Sequence, residues 1–405
     1  MGSEQTTSRL RNGLKEGFSK KTALNVHAFT LFTYVAASSA PTPLYSLYQS
    51  KWHFTPVMLT VIFSTYALFL LMALLVAGRL SDHLGRRPVI AFAILLQIVT
   101  MGIFLLAQNI GWLLAGRALQ GIATGVAVSA LGAALVDIHQ ERGSLTQSLV
   151  TLGGLAFGVF GVTVLVELAP APLHLVFMIL MAAFALQLVL SMMVPETAVR
   201  RSGAIRSLVP TIHVPRKAKG ALLAIAPINV AVWALGGFSL SLMPSLIDVA
   251  TQSRSMWYSG LDVAALNLSG CVAIWMMRRS KPVKPLIIGA ALLIIGLLII
   301  LVVINAGREG NGFVALLAGT MVAGAGYGAG LIGSIRSIVH LVQPSERSGL
   351  MAAYYIESYL AFSLPTIIAG YIDQQVNLLS AANIYGSAII ILAFVGIALG
   401  ILRSS

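Results

Sequence analysis

The chain has 405 residues, of which 58% are hydrophobic and 10% are charged, and its mean hydropathy is +0.89. Soluble globular proteins carry about 25% charged residues, so this composition excludes an ordinary soluble domain and predicts that most of the chain lies in lipid. The net charge is +13. The chain has a single cysteine, Cys271, which excludes a framework of disulfides or of cysteine-bound metal within the chain.

Apolar runs of about 20 residues are long enough to cross the hydrocarbon core of a bilayer as α-helices. Twelve such runs predict an all-α membrane protein with twelve transmembrane helices, spans 1 to 12. Their approximate ranges are 22–49, 56–78, 88–107, 111–137, 146–167, 172–194, 220–247, 256–277, 285–304, 312–341, 349–371 and 380–402. Prolines predict local bending in spans 1, 7 and 11, namely Pro41, Pro43, Pro244 and Pro365.

The basic residues lie mostly on one of the two sides that these spans define. Twenty-one of the 26 Lys and Arg residues fall in the N-terminal tail, the C-terminus and the loops after even-numbered spans, against three on the other side (Lys51, Arg254 and Arg308). Basic loops remain cytoplasmic, so both termini are expected in the cytoplasm. The basic excess is thus a signal of topology and of contact with membrane lipid, and nucleic acid is not an expected partner.

The loop between spans 2 and 3 carries the most specific motif of the chain, GRLSDHLGRRP at residues 78–88. Its distinctive residues are Gly78, Asp82, Gly85, Arg86 and Arg87. The pattern resembles the signature loop between helices two and three of the major facilitator superfamily, a fold of twelve helices in two homologous halves. The resemblance implies a secondary transporter in which Asp82 helps to latch one conformational state. Asp137, at the end of span 4, is the expected third member, because it can meet Arg86 or Arg87.

Span 4 contains a cation, Arg117, inside the membrane. A charge at the bilayer centre costs about 2.5–3.5 kcal/mol on insertion scales, so Arg117 is expected to face a partner or a wet cavity. Gln120 lies on the same helical face at i+3. The segment is similar to a helix-4 motif of the same superfamily, whose arginine is linked to proton transfer or substrate binding. An arginine that only binds backbone carbonyls is the alternative.

The most polar long connection divides six spans from six. It predicts a cytoplasmic N-terminal tail at 1–21, a six-helix bundle at 22–194, a cytoplasmic linker at 195–219 and a second bundle at 220–405. The sequence LLAG at 113–116 recurs at 316–319, and Glu141-Arg142 recurs as Glu346-Arg347. This repetition predicts two pseudo-symmetric six-helix bundles.

The second half differs from the first in its loop and in its acids. The loop at 278–285, RRSKPVKP, lacks both Gly and Asp, so a latch is expected in the first half only. Asp262 in span 8 and Glu357 in span 11 are the candidate intramembrane acids, and Arg336 in span 10 is a second intramembrane cation. Similar depths make an Arg336–Glu357 pair conceivable, and Arg117 lies at about the depth of Asp262.

Aromatic residues that are candidates for lining a central cavity are Tyr34, Trp233, Tyr327 and Tyr355. Packing between helices is the alternative for each. Span 1 holds no acid, although several drug:proton antiporters of the superfamily carry their titrating carboxylate there. If protons are coupled, the second half must therefore supply the acid.

These features predict a secondary active transporter and not an enzyme. The motif set resembles the bacterial twelve-helix drug and metabolite efflux group, which implies proton-coupled export of a small amphipathic organic compound, as an antiporter, across the inner (plasma) membrane by alternating access. Proton-coupled uptake of an organic anion held by Arg117 or Arg336 is the alternative. A membrane pore is a further alternative, and it would be recognised by a conductance far above the turnover of a carrier. The sequence contains no nucleotide-binding loop and no metal-ligand pattern, so no cofactor or metal is expected.

The charge asymmetry leads to a test of topology. Reporter fusions at residues 1, 205 and 405 should report the cytoplasm, and fusions at 51 and 308 should report the outside, because basic loops resist translocation. A periplasmic signal from the fusion at 205 would contradict the arrangement of six spans on each side of the linker.

Overall fold

The computed structural model describes residues 18–210, 212–253, 255–306, 312–343 and 346–404, and these ranges contain helices but no strands. Most of the predicted tail, together with Arg254 and Arg308, lies outside the described residues. Twelve long helices follow spans 1–12 in order. They are α1 (Lys20–Ser39), α2 (Pro56–Ala77), α3 (Arg86–Leu105), α4 (Ile110–Ile138), α5 (Gln140–Leu168), α6 (Pro172–Met193), α7 (Arg216–Ser241), α8 (Met256–Met277), α9 (Val283–Ala306), α10 (Gly312–Val339), α11 (Arg347–Gln375) and α12 (Leu378–Ser404).

Four short helices lie between the long ones, at Tyr45–Trp52, Leu80–Leu84, Ala204–Ser207 and Met243–Thr251. Two of them are the ends of predicted spans 1 and 7, which the structure divides at 40–44 and at Leu242. Pro41 and Pro43 lie in the first division, where missing N–H groups end the hydrogen-bond ladder. Pro365, by contrast, lies inside an uninterrupted α11.

Ten of the described helices are long and apolar enough to cross a membrane by length and composition, and α1 and α11 are outside this set. Both carry many polar residues that they bury against other helices. In α1 these include His27, Thr30 and Ser38, and in α11 they include Ser358 and Thr366. These polar side chains lower the hydropathy of α1 and α11. The two helices tolerate them because they face protein rather than lipid over much of their length.

The helices form two six-helix bundles with matching internal contacts. In the first, α4 packs on α1, α2 and α3, and in the second α10 packs on α7, α8 and α9. Buried apolar residues correspondingly form two clusters, one centred on each half. The all-helical fold of two pseudo-symmetric bundles expected from the sequence is confirmed.

Among the described residues the halves meet mainly through two pairs of helices, α2 with α11 and α5 with α8. The Ser64 hydroxyl of α2 donates to the Ser363 carbonyl of α11 at 3.3 Å. At the seam between α5 and α8, Glu167 Oε1 accepts hydrogen bonds from the Met256 N–H at 2.8 Å and from the Ser255 hydroxyl at 3.2 Å. An acid of the first half thus caps the N-terminus of α8 in the second half.

Small residues allow the closest helix contacts in the second half. A Cβ on Gly328 of α10 would lie 2.1 Å from the Gly270 carbonyl oxygen of α8. A Cβ on Gly324 would lie 2.2 Å from the Leu266 carbonyl oxygen of the same helix. The glycine-rich run of α10 therefore serves helix packing, which in lipid depends on such close approach.

Gly328→Ala should destabilise the protein by about 1–3 kcal/mol, because the added methyl group meets backbone that cannot rotate away. Gly102→Ala in α3 is the matched control, since a Cβ there meets no atom within 4 Å. Thermal unfolding of both purified variants in one detergent measures the difference. Equal unfolding temperatures for the two variants would show that the α8–α10 contact is looser than the structure indicates.

Candidate functional site

The loop at 78–88 forms an ion-pair network at one end of the bundles, hereafter the motif face. Arg86 Nη1 lies 2.5 Å from Asp82 Oδ1, and Arg86 Nε lies 3.0 Å from Asp137 Oδ2 at the end of α4. Arg86 Nη1 also donates to the Ser81 hydroxyl at 2.7 Å. The Gly78 carbonyl accepts from the Ser129 hydroxyl of α4 at 2.7 Å. The structure therefore brings Asp82, Arg86 and Asp137 together and ties the loop to α4.

The start of α3 is capped by a residue from the predicted linker. Gly85 precedes the helix with φ +99° and has no side chain to cap it, but Glu196 accepts from the Arg86 N–H at 2.8 Å and from the Arg87 N–H at 3.1 Å. A Cβ on Gly85 would lie 2.5 Å from Glu196 Oε2. Both the positive φ and this contact therefore favour glycine at the position.

Glu196 was not among the predicted residues, although it is the only acid in the basic stretch 195–219. The same stretch approaches the loop at other points. The Thr197 hydroxyl donates to Asp137 at 3.3 Å, and the Arg201 N–H donates to the His83 carbonyl at 3.0 Å. By contrast, the Arg87 side chain is exposed, and its Nη2 lies 3.9 Å from Met192 Sδ. Arg86, not Arg87, holds the acids.

Arg117 is buried inside the first half and binds the broken end of α1. Pro41 has no N–H, and the Thr42 N–H turns back to the Ser39 carbonyl at 3.0 Å, which leaves the Ala37 and Ser38 carbonyls without their helical donors. Arg117 Nη1 donates to Ser38 O at 2.9 Å. Gln120 Nε2 donates to Ala37 O at 2.9 Å. The break in α1 is therefore stabilised from α4.

The guanidinium of Arg117 has two further contacts. Its Nη1 lies 2.6 Å from Gln120 Oε1, and its Cζ lies 4.4 Å from the ring centroid of Tyr66 in α2. This geometry fits the alternative of an arginine bound to backbone carbonyls. It also provides a cation–π contact that links α4 to α2.

A cavity of about 780 Å³ lies between the halves at the end opposite the motif face. Its walls are the segment after α1, the start of α2, the end of α7 with the short helix that follows, and the start of α8. The lining residues are mostly apolar or carry hydroxyl and amide groups, and Asp248 is the one charged residue among those that the structure describes there. A volume of this size is within the range of sites for drug-sized molecules.

Aromatic residues form a layer beside this cavity. Phe63 lines the cavity and stacks on Phe362 of α11 with ring centroids 5.1 Å apart. The ring centroid of Trp233 lies 6.3 Å from that of Phe362 and 4.9 Å from that of Tyr359. The ring centroids of Tyr355 and Tyr359 are 6.2 Å apart. Trp233 and Tyr355 thus belong to an aromatic layer at the seam between α2, α7 and α11.

Two of the four predicted aromatic candidates are packed in the helical core. Tyr34 is fully buried and meets Phe184 with ring centroids 5.0 Å apart. Tyr327 is 6% exposed and lies against Gly236 of α7, where an added Cβ would be 3.3 Å from its hydroxyl. Neither residue lines the cavity described above, and both pack against neighbouring helices in this structure.

Asp262 is fully buried in α8, one turn from the cavity wall that Ser259 and Val263 form. The hydroxyl of Thr320 in α10 is the polar neighbour of this carboxyl, and within the described chain no cation forms an ion pair with it. A carboxyl group in such a place requires a proton or a cation. Arg117, expected at a similar depth, forms no ion pair with Asp262 among the described residues, and its Nη1 donates to the Ser38 carbonyl of α1.

Glu357 and Arg336 are not joined as the similar depths had suggested. Glu357 Oε1 accepts from Asn229 Nδ2 of α7 at 3.1 Å. Arg336 Nη1 donates to the Arg278 carbonyl at 3.0 Å and to the Met277 carbonyl at 3.4 Å, and so caps the C-terminus of α8. Among the described residues both ion pairs are at the motif face. The last carbonyl groups of α8 have no N–H donor within their own helix, which explains why Arg336 is held there.

Comparison with known proteins identifies the class to which this arrangement belongs. The profile of the Major Facilitator Superfamily matches residues 28–306, and the chain belongs to this family. It is therefore a multi-pass integral membrane transporter, a class that moves small molecules and is not enzymatic in general.

A curated relative is similar over part of the chain. The MFS transporter fmqE of Aspergillus fumigatus (strain ATCC MYA-4609 / CBS 101355 / FGSC A1100 / Af293) is 31% identical over 131 residues, which cover 31% of this chain and 24% of the relative. The match thus spans about a quarter of that protein's length.

Solved structures share the fold over nearly the whole chain. A variant of the nucleoside transporter NupG has a TM-score of 0.71 at 12% identity and covers 93% of this chain and 99% of its own. The human organic anion transporter MFSD10 (TETRAN) has a TM-score of 0.71 at 15% identity, covering 94% and 100%. A variant of the peptide transporter POT, bound to alafosfalin, has a TM-score of 0.76 at 13% identity, covering 96% and 97%. These likenesses show the fold alone.

The network at the motif face leads to a test that separates its two arginines. Arg86→Gln should lower transport by about fivefold or more, corresponding to about 1 kcal/mol for partly exposed pairs, because it leaves Asp82 and Asp137 without their cation. Arg87→Gln should change transport little. Initial rates in proteoliposomes, with substrate binding measured in parallel, make the comparison. Equal losses in the two variants would contradict a latch centred on Arg86.

Proposed function

We propose that this transporter exports a small amphipathic organic compound in exchange for protons, by alternating access of its two halves. The observation that carries the proposal is the cavity between the halves. Its lining joins apolar side chains with hydroxyl and amide groups and includes no Lys or Arg among the described residues. Such a surface suits a compound with a large apolar part and a few polar groups.

The proposed carrier of the coupling proton is Asp262. Its enclosure without a cation means that the ionised form would be costly there, whereas the neutral form is tolerated. Its position one turn from the cavity supports a cycle in which the proton is released when the carboxyl meets water and is regained before the carboxyl is enclosed again. Glu357 is the second candidate, but the Asn229 amide already donates to it.

The proposed orientation has the motif face in the cytoplasm of a bacterial inner membrane. The basic loops that flank the motif support it. In that orientation, the cavity lies toward the outer side, and the network of Asp82, Arg86 and Asp137 holds the cytoplasmic end of the first half. This is the arrangement in which a carrier releases an exported compound.

Uptake of an organic anion is less well supported by the geometry. That reading needs Arg117 or Arg336 to hold the carboxylate of the substrate. Both guanidinium groups donate to backbone carbonyls, and neither residue lines the cavity. An anion would have to displace those contacts, which would leave helix ends unsatisfied in the membrane.

The decisive experiment begins with a ligand screen by thermal shift on the purified protein, followed by transport of the hits in proteoliposomes with an imposed pH gradient. Export predicts that substrate accumulates in the compartment from which protons flow. Accumulation that follows the inward proton gradient would replace export by uptake. A substrate flux that ignores the pH gradient would remove proton coupling.

Asp262→Asn should reduce pH-driven transport to background while substrate exchange across the membrane persists, because exchange needs no net proton movement. Glu141→Gln is the control, since it also removes one acid but lies exposed at the start of α5. Counterflow and pH-driven flux of both variants give the comparison. Full pH-driven transport by Asp262→Asn would eliminate this residue as the carrier and leave Glu357 as the acid to test.

A further inference from the structure

The loop between α8 and α9 concentrates positive charge without acids. Four cations lie within residues 278–284, namely Arg278, Arg279, Lys281 and Lys284. Arg336 of α10 joins them through its hydrogen bond to the Arg278 carbonyl at 3.0 Å. We call these five residues the α8–α9 cation cluster. None of them takes part in an ion pair with the acids that the structure describes.

The cluster occupies the place that the acidic latch has in the first half. There, Arg86 is neutralised by Asp82 and Asp137. The internal repeat that aligns Leu113 with Leu316 places His340 where α4 has Asp137. The His340 Nδ1 lies 2.8 Å from the Arg336 carbonyl and brings no negative charge. The second half therefore has cations in this region but no acid at these positions, and no ion pair among the described residues neutralises them.

An exposed apolar stripe leads directly to this cluster. Leu268, Val272, Trp275 and Met276 lie on one face of α8 with exposed fractions of 54%, 57%, 54% and 69%. Spacings of four, three and one residues keep them together along the helix. A stripe of this kind on a transmembrane helix faces acyl chains. Its last turn contains Trp275, a residue type enriched at the boundary between acyl chains and headgroups.

Arg278 connects the stripe with the cluster. Its Cζ lies 4.3 Å from the ring centroid of Trp275, and its Nη1 donates to the Trp275 carbonyl at 2.6 Å. These contacts fix one guanidinium at the level where the helix leaves the membrane. The exposed side chains of Arg279, Lys281 and Lys284 follow it within six residues. Acyl-chain contact and anion attraction thus meet at one point of the surface.

We propose that the α8–α9 cation cluster binds the phosphate headgroup of an anionic phospholipid whose acyl chains lie along the stripe of α8. The phosphate supplies the negative charge that the second half lacks, and its oxygens accept hydrogen bonds from Arg279 and the two lysines. A membrane lipid, rather than a free anion, is the occupant because the stripe continues without a break into the cluster. The bound lipid takes the place of the missing acids and holds the α8–α9 loop at the membrane surface.

The test uses the full chain in detergent micelles, with brominated phosphatidylglycerol as the probe and brominated phosphatidylcholine as its neutral counterpart. Bromine on the acyl chain quenches tryptophan fluorescence at contact, and Trp275→Phe identifies the part of the signal that comes from Trp275. The variant carries Arg279→Gln, Lys281→Gln and Lys284→Gln together. Its matched control carries Arg200→Gln, Arg206→Gln and Lys217→Gln, which remove three exposed cations elsewhere on the motif face.

We expect phosphatidylglycerol to quench Trp275 at lower concentration than phosphatidylcholine does. The half-saturating concentration should rise by about tenfold or more in the triple variant and remain unchanged in the control, since the variant lacks three basic residues that attract an anionic headgroup. Native mass spectrometry should count fewer retained anionic lipids in the same variant. Because all three side chains are exposed, the variant is expected to fold, and its unfolding temperature in phosphatidylcholine verifies this.

Two results would overturn the proposal. One is equal quenching by phosphatidylglycerol in the triple variant and the unmodified protein. The other is displacement of the brominated lipid by inorganic phosphate at the concentration at which phosphatidylglycerol itself competes, which would identify a site for a free anion. Transport activity plays no part in either readout, so failure of the lipid site and failure of the proposed export are separate outcomes.

Discussion

The bilayer offers no donors or acceptors to the backbone, and the placement of charge in this protein follows from that constraint. At several helix ends and at the break in α1, a side chain from another segment completes the backbone hydrogen bonds. Arg117 and Gln120 serve the carbonyls freed at Pro41. Arg336 serves the last carbonyls of α8, and Glu196 serves the first N–H groups of α3. Arg117 and Arg336, which were candidate binding residues in the sequence, thus stabilise helix ends by binding backbone carbonyls.

This use of charge separates the ionisable groups into two sets. Arg117 and Arg336 have structural partners that remain necessary as long as the helix ends stay in place. Asp262 and Glu357 have no cationic partner in the part of the chain that is described, so a change in their protonation need not break an ion pair. Coupling a proton to motion is easier for such groups, because they respond to water access without dismantling the fold.

Much of the fold was predictable from the sequence, because membrane helices are specified by local apolar runs and the motif of the loop between α2 and α3 is contained within eleven residues. Asp137 was predictable as a partner of the loop for the same reason, since it closes the next even-numbered helix. The carbonyl partners of Arg117 were not, because they depend on Pro41 in another helix, and Ser38 and Arg117 are 79 residues apart. Glu196 and the loop are 110 residues apart, and only the folded chain joins them.

The cap that Glu167 places on α8 has a consequence for the moving protein. Because the acid belongs to the first half and the capped helix to the second, any separation of the halves at this seam removes acceptors from the first turn of α8. Loss of an N-cap costs a helix about 1 kcal/mol. The first turn of α8 is then exposed to fraying, and the amide of Met256 should exchange its hydrogen for deuterium at a rate that follows the opening of the seam. A backbone amide within α8 thus reports conformational cycling directly, without any label on the substrate.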